Sequence, residues 1–363
     1  MEMVQNANEM VTFFAEAQKA VSDTEHNNVL IDKFIEGPEV EVDAVCDGAS
    51  VLIPGIMEHV ERAGVHSGDS VAVYPPQSLQ ADQIDAIVDY TTRMALSLDV
   101  RGLMNVQFVI SREADPSGPG VFIIEVNPRS SRTVPFISKV TGIPLVNIAV
   151  NIMLGRSLLE QGYDSGLYPA PNLVAVKAPV FSMNKLTNVD TFLGPEMKST
   201  GEVMGVDKTY SSAMEKAMIA SSMDIEPGTP FLLSISNQTK SEATSLIRTL
   251  HEAGSPLFAT EGTATLISAL GIPVTTISKR LDDSESNVVQ LIKQGGVGAV
   301  INTLEGGRTE VRRDGFFIRR AATEMRIPCF TSLDTARVAV DSIDNSVKKN
   351  YNILPLNDYR SWE

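Results

Sequence analysis

The chain has 363 residues, of which 43% are hydrophobic and 21% charged, and a formal net charge of −15. That length suffices for a sizeable core in two or three domains, and the composition excludes a disordered or collagen-like chain. The acidic balance excludes nucleic acid as a partner, because binding a phosphate backbone needs a basic face. No apolar run reaches membrane-spanning length and no basic-then-apolar signal segment opens the chain, so the expectation is a cytoplasmic enzyme or binding protein without a membrane partner. Cys46 and Cys329 lie in separate strand-like segments with no metal-ligand spacing around them, which predicts buried thiols rather than a disulfide.

In chain order, Met10, Phe13, Phe14, Ala17 and Val21 recur at helical spacing over 6–21. Residues 29–35 and the alternation Glu39-Val40-Glu41-Val42-Asp43-Ala44 predict two strands. Asp47-Gly48 then turns the chain into 51–60 as a hairpin partner. A polar loop, Gly64-Val65-His66-Ser67-Gly68-Asp69-Ser70, ends at Pro75-Pro76, and Ile84, Ile87, Val88, Met94, Ala95 and Leu98 mark a helix.

A strand at 103–110 and another in the stretch 121–129 follow, joined by a loop with the turn signals Asp115-Pro116, Ser117-Gly118 and Pro119-Gly120, so they form a long-looped hairpin. The second strand is an apolar run that reads as buried, with Glu125 and Asn127 two residues apart and therefore on one face. Gln107 on the antiparallel neighbour lies beside them. A carboxylate and two amide carbonyls around one point suit a hard cation such as Mg²⁺ carrying phosphate oxygens, and Arg129 is placed to reach a phosphate. A buried carboxylate must be compensated, so Glu125 suits a structural ion pair with Arg129 or Arg132 equally well. Spacing leaves both readings open. The loop at 64–70 likewise suits a phosphate or sugar contact or an exposed turn. Lys33, Ile35 and Glu39 suit a nucleotide base and ribose or an ordinary half-exposed strand.

The stretch 132–168 is largely helical, with Leu145, Ile148, Ala149 and Ile152 in phase and Gly155 as a stop. Strand character returns at 169–185, 190–206 is loop-rich, 211–220 is a helix, and the polar stretch 221–228 is the expected boundary between domains. Beyond it, 231–235 (strand), 241–253 (helix), 257–259 (strand) and 263–270 (helix) alternate, and 274–277, 288–293, 297–302, 316–325 and 334–343 continue the rhythm. This predicts a parallel sheet with helices on both faces. Thr260-Glu261-Gly262-Thr263 sits between strand and helix, where free backbone N–H groups favour an anion, and Lys240 and Lys279 add charge at the same sheet edge. Alternatively Thr260 and Thr263 are helix caps. Neither a Gly-x-Gly-x-x-Gly nor a Walker lysine motif is present, and 344–363, with the lone Trp362, is the expected frayed tail.

Together, Glu125-Val126-Asn127-Pro128-Arg129, Arg132-Thr133-Val134-Pro135-Phe136, Gly102-Leu103-Met104-Asn105-Val106-Gln107, the 64–70 loop and Leu193-Gly194-Pro195-Glu196-Met197 resemble the large-subunit family of carbamoyl phosphate synthetases over nearly the whole chain. The resemblance implies an α+β partial ATP-grasp domain over 1–220, the later part of the second such module, and a linker at 221–228. An α/β doubly wound parallel-sheet domain of methylglyoxal-synthase-like fold over 229–345 and a tail over 346–363 complete it. It implies Mg²⁺ or Mn²⁺ on Gln107, Glu125 and Asn127, with Gln107 and Glu125 also at the ATP. Arg129 and Arg132 would be catalytic at the phosphate and carbamate end. Lys33, Ile35 and Glu39 would surround adenine and ribose, and Gly64, Val65, His66 and Ser67 would form the nucleotide loop. The implied reaction is phosphorylation of carbamate by ATP for pyrimidine and arginine biosynthesis, with a glutaminase small subunit as partner. Lys240, Thr260, Thr263, Lys279 and Asn302 match positions that hold a regulatory UMP or IMP.

The departures carry expectations too. Lys33 stands where some relatives have histidine, and Leu304 and Asp314 stand where some have hydroxyl side chains. Of a set that binds ornithine in some relatives, Glu61 and Asp69 are present but Ala178 replaces an acid after Val176-Lys177, so a weak or absent ornithine response is expected. The text begins after the N-terminal subdomain and glycine-rich lid of an ATP-grasp module. The chain is thus expected to be part of a longer enzyme, keeping metal and effector contacts without making carbamoyl phosphate alone. Two other readings are a stand-alone regulatory nucleotide-binding module and a lyase like methylglyoxal synthase. The latter ranks low, because Leu304-Glu305-Gly306-Gly307 offers no catalytic aspartate.

Overall fold

A computed structural model describes residues 4, 6–20, 29–112, 118–183, 189–279, 287–304, 309–341 and 352–361. The expectations for Val21, Asp115-Pro116, Ser117, Lys185, Glu305-Gly306-Gly307 and Trp362 fall outside the described residues. Helix α1 (Ala7–Ala20) opens the chain. Strands β1 (Pro38–Asp47), β2 (Val51–Ile53), β3 (Ile56–Arg62) and β4 (Ala72–Tyr74) precede helix α2 (Ala81–Ser97) and the hairpin β5 (Arg101–Ile110) and β6 (Val121–Asn127). Helices α3 (Val134–Thr141) and α4 (Leu145–Met153), strands β7 (Gly166–Leu167), β8 (Val174–Val180) and β9 (Gly201–Asp207), and helix α5 (Tyr210–Ser221) complete the first part. The main path of its sheet runs β6-β5-β1-β3-β4-β8-β9 and is antiparallel, with β2 pairing β1 and β7.

The central strand β1 is buried along almost its whole length: Val40, Val42 and Ala44 point to one apolar core, and Glu39, Glu41 and Asp43 point to the opposite face. It pairs β5 in unbroken register from Glu39↔Val109 to Asp47↔Arg101. Residues 51–60 do not form one strand. Pro54-Gly55 splits the run into β2 and β3, since proline has no N–H for the ladder. The expected strand at 29–35 is absent: this segment joins no ladder and leaves Leu30 84% exposed, because an apolar run becomes a strand only where a neighbouring backbone accepts it.

The helical stretch after residue 132 is two short helices bent by 110° at Gly142-Ile143-Pro144, followed by the small strand β7. Among the described residues, no single helix is long and apolar enough to cross a membrane. The loop expected at 190–206 contains β9, which pairs β8 from Val174↔Asp207 to Val180↔Gly201. Gly205, a loop signal in the sequence, is there because α5 presses on the strand: a Cβ would lie 2.0 Å from the Ala213 carbonyl oxygen.

The second part carries β10 (Phe231–Ser234), α6 (Ala243–Glu252), β11 (Leu257–Ala259), α7 (Glu261–Ala269), β12 (Thr275–Thr276), α8 (Val288–Lys293), β13 (Ala299–Asn302), α9 (Thr309–Glu324), β14 (Cys329–Phe330) and α10 (Leu333–Asp341). Its five strands are parallel in the order β12-β11-β10-β13-β14. Leu246, Ile247, Ile267 and Ala336 from α6, α7 and α10 pack on one face, and Val288, Ile292 and Ile318 from α8 and α9 on the other. Both cysteines are free thiols, Cys46 buried and Cys329 half-buried.

The tail is not frayed where it is described. Residues Leu356–Arg360 form α11, and Tyr359 is buried among Val134, Phe136 and Ile137 of α3. Lys216 Nζ donates to Tyr359 Oη at 2.8 Å and pairs with Asp207 at 2.8 Å, so one aromatic anchor holds an otherwise polar segment. The two parts also meet at the end of β3. Arg62 pairs with Glu242 and, at 3.2 Å, with Asp334, while Thr335 Oγ1 donates to the buried Glu61 carboxylate at 2.7 Å.

Candidate functional site

The metal-site candidates come together on the outer strands. Gln107 lies opposite Glu125 and Asn105 opposite Asn127, and Asn127 Nδ2 donates to Glu125 Oε1 at 2.8 Å. The ladder shifts between Gln107 and Phe108, so that Phe108 meets Ile123 and Ile124 is the extra residue of a bulge. The expectation that Glu125 is buried is corrected: β6 is an edge strand and Glu125 is exposed, as are Phe122, Ile123 and Ile124. Nor does Glu125 form an ion pair with Arg129 or Arg132 among the described residues. Arg132 instead lies 3.9 Å from Glu202 and touches the Met197 sulfur, and Arg129 Nη1 donates to the Ser130 carbonyl at 3.0 Å.

Ser67 joins this group, because Gln107 Nε2 donates to its Oγ at 3.2 Å. The glycine-punctuated loop is therefore no free turn. Gly64 N donates to Glu39 Oε1 at 3.1 Å, His66 N to the Gly194 carbonyl at 2.8 Å, and the fully buried Lys177 ammonium to the Ser67 carbonyl at 2.8 Å. Val65 lies between Gly64 and His66, and His66 Nδ1 accepts from Gly68 N at 3.0 Å. Glu39 thus belongs with the loop. Lys33 is exposed and Ile35 half-buried on the extended segment before β1, away from any strand ladder.

Behind the arginines lies a buried polar cluster that the sequence reading missed. Asp43, 1% exposed, accepts from Ser131 Oγ at 2.6 Å and Thr133 Oγ1 at 2.7 Å, and Asn105 Nδ2 donates to both Glu41 and Asp43. These bonds pin the segment that exposes Arg129 and Arg132. Burial, reinforced by the nearby Glu41 charge, pushes the Asp43 carboxyl up to about 7. Burial opposes charging His59 as well, but its contacts with Glu39 and Glu41 carry the imidazole up to about 9. Burial also opposes ionisation of Glu41, yet hydrogen bonding and charge from His59, with help from Lys177 and Asn105, hold it below the ordinary carboxylate range. The signal was in the sequence: three acids at every second position of a strand otherwise made for a core.

Among the described residues no three His, Cys, Asp or Glu side chains cluster with metal-binding geometry. Gln107, Glu125 and Asn127 instead offer one carboxylate and two amide oxygens, an oxygen-only set that fits Mg²⁺ retaining waters and phosphate oxygens.

At the carboxyl edge of the parallel sheet, Asn302 Nδ2 donates to the Ser234 carbonyl at 3.3 Å, and a narrow cleft is lined by Ser234, Ser236, Lys279, Asn302 and Arg319. Leu304 also lines it, where a hydroxyl was the alternative. Thr260 occupies the N-cap of α7, but its side chain caps nothing and lies 3.5 Å from Ser234 Oγ. Thr263 Oγ1 accepts from Ile235 N at 3.0 Å, and a Cβ on Gly262 would lie 3.1 Å from Lys240 Nζ, which places that ammonium over the start of α7. All the expected effector residues therefore reach this edge. Arg319 was not anticipated, since an arginine in an amphipathic helix ordinarily faces solvent, whereas this one is 1% exposed.

Residues 1–161 match the family described as carbamoyl-phosphate synthase L chain, ATP binding domain, and residues 242–331 match the MGS-like domain. A carbamoyl phosphate synthase large chain from Thermomicrobium roseum is 52% identical over 336 residues, covering 92% of this chain and 30% of its own length. The chain thus spans under a third of that curated relative. Among solved structures, the biotin carboxylase domain of Hydrogenobacter thermophilus 2-oxoglutarate carboxylase, in complex with MgADP, ADP and bicarbonate, is 15% identical. That match covers 60% of this chain and 52% of that one, with a TM-score of 0.46. The biotin carboxylase domain of a thermophilic 2-oxoglutarate carboxylase bound to bicarbonate is 16% identical over 60% and 53%, with a TM-score of 0.43.

Proposed function

Because its two parts belong to the carbamoyl-phosphate synthase L-chain ATP-binding and MGS-like domain families, we propose that this chain is the C-terminal part of a carbamoyl phosphate synthase large chain, forming one wall of an ATP site that phosphorylates carbamate. The fold is of ATP-grasp type over the antiparallel sheet and MGS-like over the parallel one. The observation that carries the proposal is the Gln107–Ser67 hydrogen bond, which sets the nucleotide loop beside the Glu125 and Asn127 oxygens.

Gln107, Glu125 and Asn127 would hold Mg²⁺ or Mn²⁺, which supplies charge neutralisation to the phosphates when bound. The chain's own groups do the rest. Gly64, Val65, His66 and Ser67 meet the nucleotide phosphates and sugar, Glu39 the ribose, and Lys33 and Ile35 the adenine. Arg129 and Arg132, presented from a segment that Asp43 fastens through Ser131 and Thr133, neutralise charge on the transferring phosphoryl group and its carbamate acceptor. The product serves pyrimidine and arginine biosynthesis in the cytoplasm, with ammonia from a glutaminase small subunit. Lys240, Thr260, Thr263, Lys279 and Asn302 take the phosphate and ribose of UMP or IMP as effector.

Exposed apolar side chains on Phe122, Ile123 and Ile124, on the strand that carries Glu125, support a covering segment from the rest of such a large chain. Alone, the chain binds nucleotides without making carbamoyl phosphate. Calorimetry tests this: Mg·ATP and UMP each give saturable binding. UMP binding without Mg·ATP binding would favour a regulatory module, and carbamate-dependent turnover by the chain alone would refute its inactivity.

A further inference from the structure

We propose that the 190–199 segment is a relay, with Asp190 and Arg319 as positioning residues, through which the cleft of the parallel sheet sets the placement of the 64–70 nucleotide loop. The inference rests on the effector reading above and extends it to a route.

At one end stands a single guanidinium with two claims on it. Arg319 Nε donates to Asp190 Oδ1 at 2.7 Å and Nη2 to Oδ2 at 2.5 Å, a bidentate pair, while Nη1 donates to Asn302 Oδ1 at 2.6 Å on the cleft wall. The helix permits this because residue 315 is glycine: a Cβ there would lie 2.7 Å from Arg319 Nη1 and 3.3 Å from Asn302 Oδ1. Burial works against ionised Asp190, but its bonds and charge contact with Arg319 hold the carboxyl below its ordinary range. A phosphate entering beside Lys279 and Asn302 is a second anion for the same planar donor set, and it competes with Asp190 for the guanidinium.

At the other end the segment clasps the loop. Asp190 Oδ1 accepts from Phe192 N at 3.1 Å, and Leu193 N donates to Thr331 Oγ1 at 3.4 Å. The Gly194 carbonyl accepts from His66 N at 2.8 Å. Lys198 N and Ser199 N each donate to the buried Asp69 carboxylate at 2.8 Å, and Ser199 Oγ donates to the Gly68 carbonyl at 2.9 Å. Met197 touches Arg132. The relay is therefore continuous, from cleft to Arg319 to Asp190 to the 192–199 backbone to the loop that holds Ser67.

Hydrogen exchange by mass spectrometry on the full chain tests it in two arms. Without ligand, Asp190→Asn and Arg319→Met each speed exchange of the 64–70 amides about tenfold, the scale of losing a charge-assisted bond, while β1 amides are unchanged. With saturating UMP, the wild type slows exchange at 234–236 and shifts it at 64–70. Asp190→Asn keeps the first effect and loses the second, and Asp190→Glu, which retains the charge, restores it. A loop response that persists in Asp190→Asn, or is absent in the wild type while 234–236 are protected, overturns the relay. If UMP protects nothing, the effector reading fails instead, and the ligand-free arm alone decides: unaltered 64–70 exchange in both variants overturns the relay.

Discussion

His59 gives the sharpest quantitative prediction. It is buried between Glu39 and Glu41, 3.5 Å and 3.3 Å away, and its imidazole is raised from the ordinary 6.5 to about 9. At 1.36 kcal/mol for each tenfold change in proton affinity, that is worth roughly 3 kcal/mol of folded-state stability. The sign follows from proton counting. Below about pH 6.5 His59 is protonated folded and unfolded, so its contribution is complete. Between 6.5 and 9 only the folded state keeps the proton, and stability falls by about 1.4 kcal/mol per pH unit. Asp43, raised to about 7, acts in the same direction but lower, between its unfolded value of 3.8 and pH 7, so the difference between wild type and a His59 variant from pH 7 to 9 carries the His59 contribution. Glu39, Glu41 and Glu61 are the carboxylates that interact with it, and Lys177 acts on Glu41. The assay is urea unfolding of the wild type and His59→Gln at pH 6, 7, 8 and 9, with peptide-resolved pulsed hydrogen exchange over 38–62 to isolate this sheet. His59→Gln loses the slope between pH 7 and 9 and is the less stable by roughly 3 kcal/mol at pH 6. Parallel pH profiles for the two proteins would refute the paired, charged imidazole.

Three further outcomes follow from single contacts. Tyr359→Ala lowers stability by roughly 3 kcal/mol and Tyr359→Phe by about 1, because the ring fills the α3 core and its hydroxyl meets Lys216; thermal unfolding with no shift in either would restore the frayed tail. Lys177→Met leaves the Ser67 carbonyl without its donor and takes a positive charge from beside Glu41, so it costs roughly 3 kcal/mol or more by denaturant titration and weakens Mg·ATP binding; an unaltered Mg·ATP affinity contradicts its hold on the loop. Ornithine gives no saturable heat, since Glu61 is taken by Val71 N and Thr335 Oγ1 and Asp69 by Lys198 N and Ser199 N; tight binding would show that these carboxylates exchange partners.

Local signals carried most of the architecture. The rhythm of apolar strands and helices after residue 228 yields the parallel sheet, and the Gln107, Glu125 and Asn127 grouping survives because an antiparallel hairpin fixes which residues face each other. What failed depended on contacts distant in sequence. Glycine in β9 looked like loop until α5 packed on it, and Val29 to Ile35 looked like strand without a partner to pair with. Tyr359 sat in a polar tail whose core is more than two hundred residues earlier, at α3. The alternating acids of β1 signalled the Asp43 cluster without naming its partners, and the Arg319–Asp190 pair was hidden, because each charge makes sense only beside a partner distant in sequence.

Gln107, Glu125 and Asn127 are proposed to hold a divalent cation beside the 64–70 loop. Titration of the chain with Mn²⁺ in the presence and absence of ADP, followed by water-proton relaxation, reads cation binding without requiring turnover. The wild type binds Mn²⁺ more tightly with ADP present, and Glu125→Gln weakens that binding at least tenfold, the scale of losing one charged ligand. Equal Mn²⁺ affinity in the wild type and Glu125→Gln, with ADP present, would contradict it.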